Sequence, residues 1–261
     1  RRARVAPGGG SAGAGGSSPL YAVAGDGETT TATERLSVGL DGITKLAVGA
    51  LKDKPGALFV EGSCQGGLVT DILTYEDGVL KNITLDPATG VSEGNLRSST
   101  AAFQDLSGDE SYLIPIPRAL PAQGEAVSRV LDWYGYNSRG KRTIVTTTYH
   151  NYSDSWYLIL PDSWGEISLR REDSDVGERA VVFSFWNGEG ESVTDFLVIY
   201  TLSGENRTEL ASREGRSVII SGGETIYAAE LPLSAEEWPE RPDMNWLRQN
   251  FRPIYSEWTT Q

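Results

Sequence analysis

Cysteine, histidine and methionine occur once each in this 261-residue sequence, as Cys64, His150 and Met244. A lone cysteine excludes an internal disulfide framework, and with a single histidine beside it no His/Cys zinc cluster can form within one chain. Positive charge is scarce as well. The 23 Lys and Arg stand against 36 Asp and Glu, a formal net charge of −13, and a surface of that sign repels nucleic-acid phosphates and anionic lipid headgroups. Apolar runs are short: Phe196 to Leu202 is among the longest, well below the roughly 18–20 residues of a membrane-crossing helix, so no transmembrane segment is expected.

What is present is aromatic. The 7 Trp, 11 Tyr and 6 Phe in a 39% hydrophobic chain can fill real cores, and the length suits two domains. Residues 1–19, with RRARVAPGGGSAGAGGSS, have basic residues but no apolar h-region and read as a flexible Gly/Ser/Ala linker that follows something upstream. Strand-rich runs then follow at 58–61, 68–75 and 79–85, the last two joined through Glu76-Asp77-Gly78, where Asp-Gly suits a turn of positive φ. Strands are also expected at 100–104 and 112–116, with Pro115, Pro117 and Pro121 then stopping regular pairing. A second hairpin is expected from 130–136 and 143–149 around Asn137 to Gly140.

Six short strands follow one another at 156–160, 167–170, 180–186, 196–202, 217–220 and 225–229. Only the last thirty or so residues change period: Ser234 to Glu237 has the capping-box form, and Asp243 precedes a stripe of Trp246, Leu247, Asn250 and Phe251. The fold class that this predicts is mainly β, a propeller-like antiparallel β part over 20–152 and a small α+β domain over 153–261 ending in short helices.

Several residues invite chemistry. Asp105, Ser107 and Asp109 place oxygens at positions 1, 3 and 5 of a loop, a pattern that can converge on Ca²⁺, weakly and for a structural purpose. Serine stands where Asp or Asn is usual and Glu110 replaces a glycine, so a plain polar turn is the stronger reading. His150, Ser153 and Asp154 are the residue types of a hydrolase triad, but triad members come from separate segments and no Gly-x-Ser-x-Gly elbow accompanies them. Cys64 has no basic neighbour to lower its pKa and reads as an inert thiol. The sequons at Asn82, Asn151 and Asn206 would matter only in a eukaryotic secretory route.

Aromatics concentrate between Trp133 and Trp164. Trp133, Tyr134, Tyr136, Tyr152, Trp156 and Trp164 are the candidate ligand-binding rings, since exposed rings stack on sugars and on partner proteins. The competing reading has alternate rings filling a seam between domains.

The strings DWYGYN, TYHNYSDSWYLILPDSWGEISLRR, AVVFSFWNGEGE, LVIYTLSGENR and TIYAAEL resemble the C-terminal half of uncharacterised lipoproteins from clostridia-like bacteria. GALFVEGSCQGGLVTDILTYEDGVLKNITLD and AAFQDLSGDESYLIPIPRALP are similar to the end of their FG-GAP/VCBS-like β-propeller segment. The C-terminal unit is weakly similar to small α+β sandwiches of the PsbP/Mog1 type. Together the matches cover residues 38–258. The resemblance implies an extracytoplasmic protein held at the cell surface by an N-terminal lipid, on a cysteine that this sequence lacks. The expected function is a non-catalytic binding or structural module that meets a protein or glycan at the cell surface, without a cofactor unless Ca²⁺ binds. The alternative is an enzyme, a cell-envelope glycan hydrolase with paired carboxylates as acid and base.

Overall fold

The computed structural model describes residues 19–22, 32–98, 101–122, 127–174, 177–188 and 193–254. The expected linker at 1–19 lies outside them but for its last residue. The protein is mainly β, with 56% of the described residues in strands against 11% in helices, and every strand pairing for which a register is defined is antiparallel. It divides into two compact units, one of Arg1–Pro117 with Asp132–Val145, the other of Arg118–Leu131 with Thr146–Gln261.

The first unit begins with a two-stranded pair, β1 (Pro19–Ala22) and β2 (Ala32–Arg35). A four-stranded meander follows: β3 (Leu40–Leu51), β4 (Lys54–Cys64), β5 (Gly67–Glu76) and β6 (Val79–Asn82), paired in sequence order as in a propeller blade. Its tight turns are encoded locally. Gln65 and Gly66 (φ 50° and 78°) link β4 to β5, and Asp77 and Gly78 (φ 48° and 83°) link β5 to β6, each a two-residue loop with positive φ at both positions.

Both faces are buried along the middle of β4 and β5, whereas β3 leaves Ile43, Leu46 and Val48 exposed. Leu36, Leu58, Val60, Leu73 and Leu80 pack on one side; Leu51, Ala57, Phe59, Ile72, Phe103, Ile114 and Tyr136 form the cluster on the other. Polar side chains sit within this apolar setting, and each is answered. Asp71, fully buried, accepts hydrogen bonds from Ser37 N and Oγ at 2.7 and 2.8 Å and from Ser92 Oγ. Glu61 pairs with Arg97, both side chains nearly inaccessible; it also accepts from Thr70 Oγ1 at 3.0 Å and Phe103 N at 3.1 Å. The Arg97 guanidinium donates further to Asn95 O and Ala101 O. Burial draws the Arg97 pKa down and the Glu61 charge opposes that.

A six-stranded sheet has the order β17-β11-β10-β9-β8-β7, from β7 (Gln104–Asp105), β8 (Tyr112–Ala119), β9 (Arg129–Tyr136), β10 (Arg142–Asn151), β11 (Trp156–Leu160) and β17 (Phe251–Pro253). Here the structure corrects an expectation: β8 runs through Pro115 and Pro117. The two-residue β7 pairs only with Tyr112 and Leu113, so beyond Leu113 that side of β8 is an edge, where a missing proline donor is tolerated. The strand expected at 100–104 is reduced, among described residues, to β7.

The second unit carries a five-stranded sheet, β12 (Ile167–Ser174), β13 (Glu178–Phe185), β14 (Thr194–Ser203), β15 (Arg216–Gly222) and β16 (Thr225–Glu230), in the order β12-β13-β14-β16-β15. Of the six strands expected in succession here, the first, β11, joins the other sheet. Two short helices complete the unit. α1 (Arg207–Ala211) buries Leu210 and Ala211 against Leu202, Ile226 and Ala228. α2 (Met244–Asn250) starts where Asp243 accepts the Trp246 N–H at 2.7 Å. The expected capping box at Ser234 is a single 3-10 turn, Leu233–Ala235, and the Ser234 hydroxyl donates to Asp195 O.

Arg97→Met tests the buried pair. Removing the cation leaves Glu61 charged and without its ion partner, which costs about 3–5 kcal/mol. Urea unfolding followed by the signal of the first unit should show a loss of that size, and a change below about 1 kcal/mol would contradict the role given to the pair.

Candidate functional site

The six candidate rings separate into two groups by strand parity and packing. Trp133 and Trp156 have no exposed surface, and Tyr136 and Trp164 keep only 5% and 4%. A ring without an exposed face cannot stack on a ligand, so these four are corrected from binding to core residues. Tyr136 belongs to the cluster around Phe59 and Ile114, its hydroxyl bonded to Asn95 Oδ1. Trp164 packs edge-on to Phe196 at 4.8 Å and beside Trp246 at 5.2 Å. Tyr134 is half-buried and the Arg142 guanidinium lies 4.4 Å above its ring, occupying that face. Tyr152, 60% exposed, is the candidate that faces solvent.

Tyr152 does not stand alone. Strand β11 alternates: Trp156, Leu158 and Leu160 are buried in the core, while Tyr157 and Ile159 point to the opposite face. The pairings His150↔Tyr157 and Tyr157↔Arg252 place three residues in one row across β10, β11 and β17. The His150 and Tyr157 rings are stacked at 5.0 Å and 13°, and the Tyr152 ring lies 5.3 Å from His150 at 38°. His150 Nε2 is 2.9 Å from Thr148 Oγ1. Tyr157 belongs to the aromatic concentration of the sequence but is not among the six candidate rings, although the alternation of Trp156, Leu158 and Leu160 with Tyr157 and Ile159 was the signal that separates the two faces.

The turn that carries Tyr152 is held from several sides. Tyr152–Asp154 form one 3-10 turn and Ser155 adopts the left-handed conformation at φ 57° before β11 begins. The Asp154 carboxylate accepts from Arg179 Nε and from Asn151 Nδ2, its carbonyl accepts from Tyr227 Oη at 2.8 Å, and Ser155 O accepts from Ile254 N at 2.7 Å. Ser153 Oγ is 3.3 Å from Arg171 Nη1. The oxygens of Asp154 and Ser153 are thus engaged by arginines and an amide, an arrangement that braces a turn, whereas a triad needs the aspartate to hold the histidine.

Asp105, Ser107 and Asp109 do share one loop, and their oxygens turn onto that loop. Asp105 Oδ1 accepts from the N–H groups of Ser107, Gly108 and Asp109, Oδ2 accepts from Glu110 N at 2.8 Å, and Ser107 Oγ donates to Asp109 Oδ1 at 2.8 Å. The Ser107 hydroxyl, and after it the backbone N–H and side chain of Ser111, lower the Asp109 pKa. Among the described residues no group of three His, Cys, Asp or Glu is placed to hold a metal ion. Cys64 is buried, its thiol 3.6 Å from Val38 O, and burial raises its pKa.

No protein-family model, curated protein or solved structure matches the chain.

Burial lowers the His150 pKa to about 4 from an ordinary 6.5. Between those values the unfolded chain binds more protons than the folded one, so stability rises with pH across that window. The contribution is complete above about pH 6.5 and is lost progressively as pH falls to about 4, by at most ~3 kcal/mol at 1.36 kcal/mol per pKa unit. The variant His150→Phe keeps an aromatic ring and removes the titration. Melts of both proteins between pH 7 and 4 should diverge, with wild type losing more; parallel curves would contradict a neutral buried imidazole.

Proposed function

We propose that this protein is a non-catalytic binding module, and that its ligand, a glycan or a segment of another protein, docks at the exposed ring of Tyr152, which the buried His150 supports from below. The observation that carries this reading is the pairing of exposure with rigidity. Tyr152 offers a solvent-facing ring on a turn fixed by Arg179, Asn151, Tyr227 and Ile254, and Tyr157 extends the row on a strand anchored by core neighbours on either side. A ring that is already immobilised loses little conformational entropy when a ligand stacks on it, which favours binding. Flat apolar faces, such as those of pyranoses or of aromatic and proline side chains, are what such a row accepts.

The same proposal places the module outside the cytoplasm, tethered to the cell surface through an N-terminal lipid. That part is supported by the likeness of its strand and turn motifs to those of surface lipoproteins. Among the described residues no helix is long and apolar enough to cross a membrane.

An array of glycans and of extended peptides probed with the purified chain tests the reading. At least one ligand should bind, and Tyr152→Ala, which removes an exposed ring with little effect on the melting temperature, should weaken that binding about tenfold or more. Retention of binding by the double variant Tyr152→Ala/Tyr157→Ala would refute the assignment of the face, as would an array with no ligand.

A further inference from the structure

Strand β10 outruns one of its neighbours. It pairs with β11 only from Thr147 to Asn151, because β11 ends at Leu160 and Pro161, which has no N–H to continue a ladder, leads into a 3-10 turn. Residues Arg142 to Thr146 therefore have β9 on one side and, among the described residues, no strand on the other. The hairpin decides which groups that edge offers. Asn137 N donates to Lys141 O, so in the alternating antiparallel pattern Arg142 and Ile144 turn their N–H and C=O groups away from β9. Tyr136, the residue before Asn137, does the same on its strand, and its carbonyl accepts from Lys52 N at 2.9 Å. Ile144 and Val145 are 48% and 51% exposed, on opposite faces of the strand.

The same end of the hairpin is basic. Arg139, Lys141 and Arg142 follow one another closely, and Lys52 reaches them from the turn between β3 and β4, its Nζ bonded to Thr143 Oγ1; all four side chains belong to exposed residues. Asp53, the acid of that turn, accepts from Ser138 N and Oγ at 2.7 and 2.9 Å and offsets one of the four charges. An unpaired strand edge with exposed apolar side chains is a template for strand addition, and charge on such an edge repels strands of like sign and attracts those of the opposite sign. We propose that Arg142 to Val145 take up an extended, acidic segment of another protein as an added strand. Its backbone bonds the N–H and C=O groups of Arg142 and Ile144, its apolar side chains lie on Ile144 and Val145, and its carboxylates meet Arg139, Lys141 and Lys52. A second copy of this chain is a poorer occupant. It brings the same basic charge to the edge, and so short an edge falls far below the about 800 Å² per partner of a stable interface, which suits a transient peptide partner. The inference does not rest on the ring of Tyr152 and adds a site to that reading.

Calorimetric titration of the full chain tests the inference with octamers that alternate Glu with Val, Leu, Ile, Phe or Tyr, beside matching octamers in which Gln or Lys replaces Glu. At least one Glu octamer should bind, about tenfold tighter than its Gln counterpart, and the Lys counterpart should not bind. Arg139→Glu with Lys141→Glu reverses two exposed charges; it should weaken the Glu octamer about tenfold and leave the melting temperature unchanged. Ile144→Pro removes the outward N–H without taking a donor from the β9 pairing, and should weaken both the Glu and the Gln octamer about tenfold. At saturation the Ile144 amide should exchange with deuterium about tenfold more slowly, a protection that charge attraction alone does not produce. Tyr152→Ala should change none of this.

Failure of every Glu octamer to bind, or a Lys octamer that binds as tightly, would overturn the inference. Glu-octamer binding that survives Ile144→Pro, with exchange at Ile144 unchanged, would leave a charge contact only and refute strand addition. Loss of that binding in Tyr152→Ala would move the peptide to the ring and refute the edge while sparing the broader reading. Two other outcomes would also refute it. An octathymidylate bound more tightly than any peptide would make the partner a nucleic acid, and a dimer in sedimentation that Ile144→Pro dissolves would give the edge to a second copy of the chain.

Discussion

The face that this protein presents depends on the placement of one side chain, Trp156. It is completely buried, its indole Nε1 lies 3.3 Å from Thr201 Oγ1, and its ring packs against Tyr149 at 5.5 Å and Phe251 at 5.3 Å. Those two partners lie on the strands to either side of β11. Because side chains alternate along a strand, fixing Trp156 inward fixes Tyr157 outward, and the same parity on β10 and β17 sends His150 and Arg252 to that outer face. A slip of one residue would invert the set. The packing of a tryptophan and the outward placement of Tyr157 are therefore one constraint with two consequences.

Acidity in this chain is to a notable extent structural. Glu61 holds Arg97 and the Phe103 N–H, Asp71 ties Ser37 to Ser92, Asp154 braces the turn under Tyr152, and Glu178 holds Arg213 and Arg216. Asp195 accepts two bonds from Arg170 at 2.7 and 2.8 Å, and its pKa is lowered by that pairing. Each of these carboxylates is satisfied by named donors. In the first unit such bonds select one arrangement of loops over others of similar apolar burial, a role suited to buried polar groups whose net stabilisation is small.

How much of this was legible in the sequence differs element by element. Asp77-Gly78 was readable because a two-residue hairpin turn needs positive φ twice, and few residue pairs provide it. The long strand β3 was missed because register shifts near Ile43 and Gly49 break its alternation, so its pattern resembles a loop with apolar residues. Pro115 and Pro117 were read as breakers because sequence does not reveal that β8 has a free edge. α1 is five residues long with no side-chain cap, too short to show a period. The aromatic cluster was recognised as a composition, yet composition does not assign faces. Trp156 was chosen as a ligand ring and Tyr157 passed over, the reverse of what their neighbours Leu158 and Leu160 imply.

Ligand recognition on the outer face of β10, β11 and β17 can be located by an amide-resolved NMR titration of the isotope-labelled full chain with a ligand found on the glycan and peptide array. Shifts should concentrate at residues 148–159 and 251–253, with the largest at Tyr152 and its neighbours. Shifts centred on the Asp105–Glu110 loop or on Tyr134, with the ring row unchanged, would contradict it.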